Sequence, residues 1–146
     1  MKVVILAGGL GTRLHEYTKT IPKPMVRIGG YPILIHIINI YLRQGFNDFY
    51  IAAGYKKEII KKYFNNYKNN GIPFETKIFK KKCKITIVDT GRKTLTGGRL
   101  KKIKNYLPDC ENFMFTYGDG VSDVNIRKLL KFHIERKKII TVTAVR

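Results

Sequence analysis

The sequence predicts an α/β protein built around a mostly parallel sheet. The chain has 146 residues, the length of one ordinary domain, and short apolar runs alternate along it with helical patterns. A glycine-rich loop directly follows the first apolar run. Hydrophobic residues make up 44% of the chain, which allows a packed core and excludes a disordered or low-complexity protein. Sheets of this kind are wound by right-handed crossovers and bind ligands beyond the carboxyl ends of their strands.

The first predicted elements follow from the apolar patterns near the N-terminus. The continuous apolar run Lys2–Ala7 is typical of a strand buried on both faces. A helix is predicted over residues 33–42, after Pro32 and before a stop at Gly45. Asp48–Ala53 is the second predicted strand.

The second half of the chain continues the alternation. Asp123 precedes a helical pattern and is predicted to cap it. The last apolar run is apolar along its whole length, so we expect it inside the sheet. In chain order, we predict a helix over residues 57–67, a hairpin of strands 74–79 and 84–88, a short helix over 98–106, a strand over 112–117, a helix over 123–137 and a strand over 139–145.

The net charge of +19 is the most unusual property of the composition. Such a charge suggests a polyanionic partner, nucleic acid first. However, 21 of the 29 basic residues are lysines, and a lysine-heavy codon bias explains much of the excess. Arginine is the residue favoured for reading bases and phosphates. We therefore expect no nucleic-acid partner, although a basic nucleic-acid-binding module remains an alternative.

The two cysteines, Cys83 and Cys110, are neither a disulfide framework nor a set of zinc ligands, and we expect reduced, partly buried thiols. No apolar run approaches the roughly 18 residues of a membrane span, so no membrane partner is expected. The N-terminus is unlike a secretory signal. The expected compartment is the cytoplasm.

Three short motifs carry the candidate chemistry. Glycines let a backbone approach an anion, and their N–H groups can cradle phosphate oxygens. Lys23 lies between two prolines, which hold it extended so that its charge can be aimed. Asp119 ends a predicted strand between two glycines, a place suited to Mg²⁺. The glycine-rich loop comprises Leu6, Ala7, Gly8, Gly9, Leu10, Gly11, Thr12 and Arg13.

Each of these motifs also has a plainer interpretation. The loop could be a tight strand-to-helix turn with a solvated arginine, and it lacks both the dinucleotide fingerprint and the Walker A ending. Lys23 could be an exposed loop residue, Arg99 a surface arginine after a helix start, and Tyr117 a core tyrosine.

The segment AGGLGTRL after an N-terminal strand resembles the loop of the sugar-1-phosphate nucleotidyltransferases, and PKPMV at residues 22–26 extends the match. Three later segments, VDTG (88–91), TGGRLK (96–101) and YGDGVSDV (117–124), resemble the branch of that family that makes CDP-glucose from CTP and glucose 1-phosphate. The resemblance runs over nearly the whole chain.

The resemblance implies a Rossmann-like three-layer α/β/α fold of the nucleotide-diphospho-sugar transferase type. It implies CTP and glucose 1-phosphate as substrates, Mg²⁺ as cofactor, a homo-oligomer at full length and a role in O-antigen biosynthesis. Lys23 and Arg13 would be catalytic and Asp119 would bind Mg²⁺. The residues that it assigns to substrate are the loop, Leu6 to Arg13, together with Lys23, Thr94, Arg99, Tyr117 and Gly118.

The chain ends soon after residue 139, where the family continues. We therefore expect residues 1–146 to be the N-terminal, nucleotide-binding part of the domain, with the second metal aspartate and most sugar contacts outside it. Such a part should bind CTP weakly, be poorly soluble and form no product. Two alternatives stay open: a transferase for UTP, dTTP or GTP, and a truncated, inactive or regulatory homologue.

Overall fold

The computed structural model describes residues 1–11, 19–66, 70–107 and 110–144. A short 3₁₀ turn, Lys23–Met25, lies between the first two strands. The strands are β1 (Lys2–Ala7), β2 (Arg27–Ile28), β3 (Tyr31–Pro32), β4 (Asp48–Ala53), β5 (Phe74–Ile78), β6 (Lys81–Asp89) and β7 (Phe113–Tyr117); the helices are α1 (Ile33–Arg43), α2 (Lys57–Tyr63), α3 (Thr96–Lys104) and α4 (Ile126–Arg136).

In the described part of the chain, five strands form the main sheet, in the order β5-β6-β4-β1-β7. The pairs β6–β4, β4–β1 and β1–β7 are parallel, and only β5 runs antiparallel, as the hairpin partner of β6. The chain moves from β1 to β4 and β6 on one side, and later returns to place β7 on the other side of β1. The strand order therefore reverses beside β1, and this reversal opens a crevice at the carboxyl ends of β1 and β7.

Both faces of the sheet are covered, which confirms the three-layer α/β/α prediction. Alternate residues of β1 point to opposite faces, so Val3 and Ile5 join a core with α1 and α2, while Val4 joins a core with Ile103 of α3. Burial on both sides explains why β1 reads as a continuous apolar run. Helix α1 ends where Gly45, at φ +92°, takes up the left-handed conformation.

The predicted strand over residues 139–145 is wrong for the described residues 139–144, which form no strand. Ile139 is 101% exposed, and Ile140 and Val142 are exposed as well. A β-branched run favours extended backbone, but a strand exists only where a neighbour completes its hydrogen bonds. These residues do not pair with β7, which bonds to β1 alone among the described strands.

The cap of α4 also differs from the prediction. Asn125, and not Asp123, is the N-cap, because its Oδ1 accepts a hydrogen bond of 3.0 Å from the backbone N–H of Lys128. A capping side chain must lie within reach of the third helical N–H, and Asp123 lies two residues too early. Helix α2 ends at Tyr63, four residues before the predicted end.

The β5–β6 hairpin confirms the predicted antiparallel pair. Its turn is Phe79 and Lys80, both at positive φ, which matches the twist of a two-residue hairpin loop. Cys83 of β6 is buried and Cys110 half-buried, and both are free thiols. Burial raises the pKa of the Cys83 thiol to about 11. None of the described helices combines the length and hydropathy of a membrane-crossing segment.

Candidate active site

A cavity of about 270 Å³ lies at the carboxyl ends of β1 and β7, where the strand order reverses. Four separate stretches of sequence meet there: the loop after β1, the turn that carries Lys23, the segment that leads into α3 and the segment at the end of β7. Its lining consists of Leu6, Ala7, Gly8, Gly9, Gly11, Lys23, Pro24, Thr94, Leu95, Thr96, Arg99, Tyr117, Gly118 and Asp119.

Lys23 and Asp119 form an ion pair inside this cavity, although 96 positions separate them in the chain. Lys23 Nζ lies 2.5 Å from Asp119 Oδ2, and each side chain is about one-third exposed. Lys23 is not extended as predicted: it begins a 3₁₀ turn, and the extended backbone is that of Pro22 before it. Both side chains are therefore ordered by an opposite charge and still face the open side of the cavity.

Gly118 brings the carboxylate of Asp119 to this position. Its backbone N–H donates a hydrogen bond of 2.9 Å to Leu6 O, which continues the β1–β7 ladder by one residue. A Cβ at this position would lie 2.8 Å from Pro24 Cγ and 3.0 Å from Leu6 O. Only glycine fits so close an approach, and the approach places Asp119 beside the turn that carries Lys23.

The glycines of the loop serve different purposes. At Gly8, a Cβ would lie 2.1 Å from Nη1 of Arg99, so the space beside Gly8 is filled by a guanidinium. At Gly9, a Cβ would meet nothing within 4 Å, and this part of the loop is open. Gly11, at φ +66°, takes the left-handed conformation that glycine favours. Leu10 is exposed and lies outside the cavity lining.

Arg99 lies at the base of the cavity and is 4% exposed, which excludes the surface-arginine interpretation. Its Nη2 donates to Gly8 O at 2.7 Å, and its Nη1 donates to Gly91 O at 2.8 Å and Thr90 Oγ1 at 2.6 Å. Burial lowers the pKa of the guanidinium, and the charge of Asp89 opposes that shift. Its hydrogen-bond partners are neutral, so its charge is not cancelled by a bonded carboxylate.

The remaining predicted site residues divide into those that line the cavity and those that lie outside the described residues. Thr94 and Gly118 line the cavity, as do Leu6 and Ala7 at the end of β1. Tyr117 also lines it and is 55% exposed, so it is not a core tyrosine. Thr12 and Arg13 lie outside the described residues.

Thr90 and the pair Lys57–Asp89 are not among the predicted site residues, although they lie at the same sheet edge. Lys57 Nζ donates to Asp89 Oδ2, and the N–H of Gly91 donates to Asp89 Oδ1 at 2.9 Å. Burial opposes ionisation of Asp89, but these hydrogen bonds and the charges of Lys57 and Lys61 prevail and lower its pKa. The hydrogen bond to Asp89 raises the pKa of Lys57. The sequence signal that could have identified Asp89 as a site residue is its position at the end of a parallel strand.

The charges of the cavity suit an anionic ligand that binds together with a metal cation. Lys23 and Arg99 supply two positive charges against the single carboxylate of Asp119. Within the described ranges, no three His, Cys, Asp or Glu side chains cluster as metal ligands. Mg²⁺ commonly uses one or two carboxylates and takes its other ligands from water and substrate phosphates. Asp119 fits that mode of binding.

A sequence model of the family described as "Nucleotidyl transferase" matches residues 2–146. Glucose-1-phosphate cytidylyltransferase of Salmonella typhimurium is 48% identical over 154 aligned residues, which cover 99% of this chain and 60% of that protein. The chain therefore spans about 60% of that relative's length. D-glycero-alpha-D-manno-heptose 1-phosphate guanylyltransferase of Aneurinibacillus thermoaerophilus is 32% identical over 97% of this chain and 56% of that protein.

The fold also matches a solved structure. The crystal structure of HddC from Yersinia pseudotuberculosis complexed with GMP-PN superposes with a TM-score of 0.68 at 28% identity. The match covers 92% of this chain and 54% of the HddC chain.

Proposed function

Because this chain belongs to the nucleotidyl transferase family, we propose that it forms the nucleotide-binding part of an enzyme that makes CDP-glucose. The enzyme transfers a cytidylyl group from CTP to glucose 1-phosphate and releases pyrophosphate. One observation carries the proposal: a single cavity at the carboxyl ends of β1 and β7 brings together the glycine loop, Lys23, Arg99 and Asp119.

The reaction asks the protein for position and charge rather than for a nucleophile. A phosphate oxygen of glucose 1-phosphate, already ionised, attacks the α-phosphorus of CTP, and the bond from that phosphorus to the pyrophosphate oxygen breaks. Two anions must be held close together while negative charge grows on the α-phosphate. The site needs donors and cations that are fixed in advance where this charge develops.

Each site residue has a place in this scheme. The backbone N–H groups of the loop around Gly9, where a Cβ would meet nothing within 4 Å, receive the triphosphate. Lys23, whose ammonium already faces an anionic group in Asp119, stabilises the charge on the α-phosphate. Arg13, outside the described residues, is assigned to the triphosphate by the family resemblance. Arg99 adds positive potential from beneath the loop.

Mg²⁺ is the cofactor that we propose, with Asp119 as its protein ligand. Asp119 suits this role because its carboxylate faces the cavity from the end of β7. The ion supplies charge neutralisation across the phosphate groups of the substrate.

Cytosine is the base that we propose, on the strength of the 48% identity to the cytidylyltransferase against 32% to the guanylyltransferase. The VDTG, TGGRLK and YGDGVSDV segments support the same choice. The test offers CTP, UTP, dTTP and GTP, each with glucose 1-phosphate and Mg²⁺, to the full-length protein, and follows pyrophosphate release. We expect CTP to give the highest kcat/KM. A preference for another nucleotide would overturn the cytidylyl assignment and leave the family intact.

The setting that we propose is a cytoplasmic homo-oligomer that supplies a nucleotide sugar for O-antigen assembly. The resemblance to the CDP-glucose branch supports this setting. Size-exclusion chromatography with light scattering tests the oligomer, and a monomer at working concentration would overturn it.

A further inference from the structure

Thr90 is a completely buried polar residue beside the candidate site. It follows β6 directly, and it is 0% exposed. Its hydroxyl donates a hydrogen bond of 2.7 Å to Ala53 O and accepts one of 2.6 Å from Nη1 of Arg99. A hydroxyl has a single proton, so donation to Ala53 leaves its lone pairs for the guanidinium. The oxygen of Thr90 is thus oriented toward Arg99 by the end of β4.

Arg99 connects Thr90 to the glycine-rich loop. The guanidinium that Thr90 holds donates through Nη2 to the carbonyl oxygen of Gly8, at 2.7 Å. Through Nη1 it also donates to Gly91 O, at 2.8 Å. Nη1 also lies 3.5 Å from Ala53 O, so the group joins the ends of β1, β4 and β6, with Thr90 as the one side chain among these four acceptors.

Close packing also restricts the position of the guanidinium. A Cβ at Gly8 would lie 2.1 Å from Nη1, and a Cβ at Gly54 would lie 2.4 Å from the same atom. Arg99 thus passes between two glycines at the ends of neighbouring strands. A side chain in so narrow a space has few alternative positions once its hydroxyl partner is in place.

We propose that Thr90 is a positioning residue for nucleotide binding, which acts through Arg99 to hold the Gly8 end of the loop. This inference rests on the proposed function, since the loop is the part assigned to the triphosphate. If Thr90 keeps the loop in its binding conformation, its removal lowers the fraction of competent molecules and weakens the apparent affinity by that fraction.

The experiment replaces Thr90 by Val, which removes the hydroxyl and keeps the branched shape, and by Ser, which keeps the hydroxyl. The matched control is Thr86→Val. Thr86 lies within β6, the strand that Thr90 follows, and is 1% exposed, and its hydroxyl has no partner among the described residues. We expect Thr90→Val to weaken CTP binding about tenfold by titration calorimetry, while Thr90→Ser and Thr86→Val stay within about twofold of wild type.

Two further measurements separate positioning from general stability. Amide exchange at Gly8 and Gly9 should accelerate in Thr90→Val and not in Thr86→Val, at temperatures well below both melting points. Arg99→Lys should weaken CTP binding similarly, and the double variant should be no worse than Arg99→Lys alone, because the two residues act in series. If Thr90→Val does not fold, Thr90→Ala replaces it.

The outcomes are distinct. Wild-type affinity and wild-type loop exchange in Thr90→Val would overturn the inference, as would a serine variant as weak as the valine variant or additive effects in the double variant. A wild-type protein that does not bind CTP would contradict the proposed function, and the exchange rates of Gly8 and Gly9 would then still decide the role of Thr90.

Discussion

Substituting Gly8 by alanine tests the packing of Arg99 against the loop. The new Cβ would lie 2.1 Å from Nη1 and 2.4 Å from Cζ of Arg99, well inside contact distance. The side chain of Arg99 is flexible in principle, but it is buried and hydrogen-bonded to Gly8, Thr90 and Gly91. We therefore expect the guanidinium to move away and to lose part of these bonds.

The size of the effect follows from the bonds that are lost. A hydrogen bond to a charged group contributes about 1.5–3 kcal/mol, and a displaced guanidinium would forfeit at least one and weaken the others. We expect the free energy of unfolding to fall by about 3 kcal/mol. For a domain of this size, that corresponds to a Tm about 6–12 °C lower.

The measurement is thermal unfolding followed by circular dichroism, with Gly9→Ala as the matched control. A Cβ at Gly9 would meet nothing within 4 Å, so that variant should change the free energy of unfolding by no more than about 0.5 kcal/mol. Equal melting temperatures for the two variants would show that Arg99 does not occupy the space beside Gly8.

Three more outcomes are expected. Lys23→Ala should slow nucleotidyl transfer on the order of a hundredfold, and Lys23→Arg should also be slow because the guanidinium has a different shape; near-normal kcat in the alanine variant would reduce Lys23 to a solvated loop residue. Asp119→Asn should remove Mg²⁺-dependent turnover without lowering the Tm, and activity that persists at limiting Mg²⁺ would speak against a ligand role. Asp89→Asn should unfold at lower urea concentration than wild type at about pH 7, since the lowered pKa of Asp89 stabilises the folded state wherever the carboxyl is ionised. This difference should disappear as the pH falls through that pKa, because protonated Asp89 no longer pairs with Lys57, and a difference that survives there would contradict the ion-pair explanation.

Much of the fold could be predicted from the sequence because its central strands carry an unambiguous pattern. β1 and β4 have the predicted bounds, since each is apolar at every position after its first residue, as expected of a strand buried on both faces, and the loops at their ends are not. The run at residues 139–144 looks similar and forms no strand. Composition reports what a segment could bury, whereas strand formation depends on a partner that lies elsewhere in the chain.

In the candidate site, too, some residues could be predicted from the sequence and others could not. The positions of Asp119 and the glycine loop follow from the rule that ligands bind at the carboxyl edge of a parallel sheet, whereas Lys23 was indicated by its flanking prolines and by the family resemblance. The burial of the Arg99 side chain could not be predicted from TGGRLK, because it depends on Gly54 and Thr90, which directly follow two other strands, β4 and β6. Gly8 is a second example. The sequence predicts that the space beside this glycine admits a phosphate, whereas in the structure the guanidinium of Arg99 fills it.

Within the described residues, the side of β7 away from β1 has no partner strand, and this has a consequence for how copies of residues 1–146 behave in solution. β7 is an outer strand of the sheet, and its Phe113, Phe115 and Tyr117 are exposed, a combination that favours edge-to-edge pairing. The net charge of +19 opposes that pairing, because two copies that approach each other repel. Salt shortens the range of this repulsion from about 10 Å at 0.1 M to about 3 Å at 1 M. The lysines therefore keep copies of the chain apart at low ionic strength, and association becomes easier as the ionic strength rises.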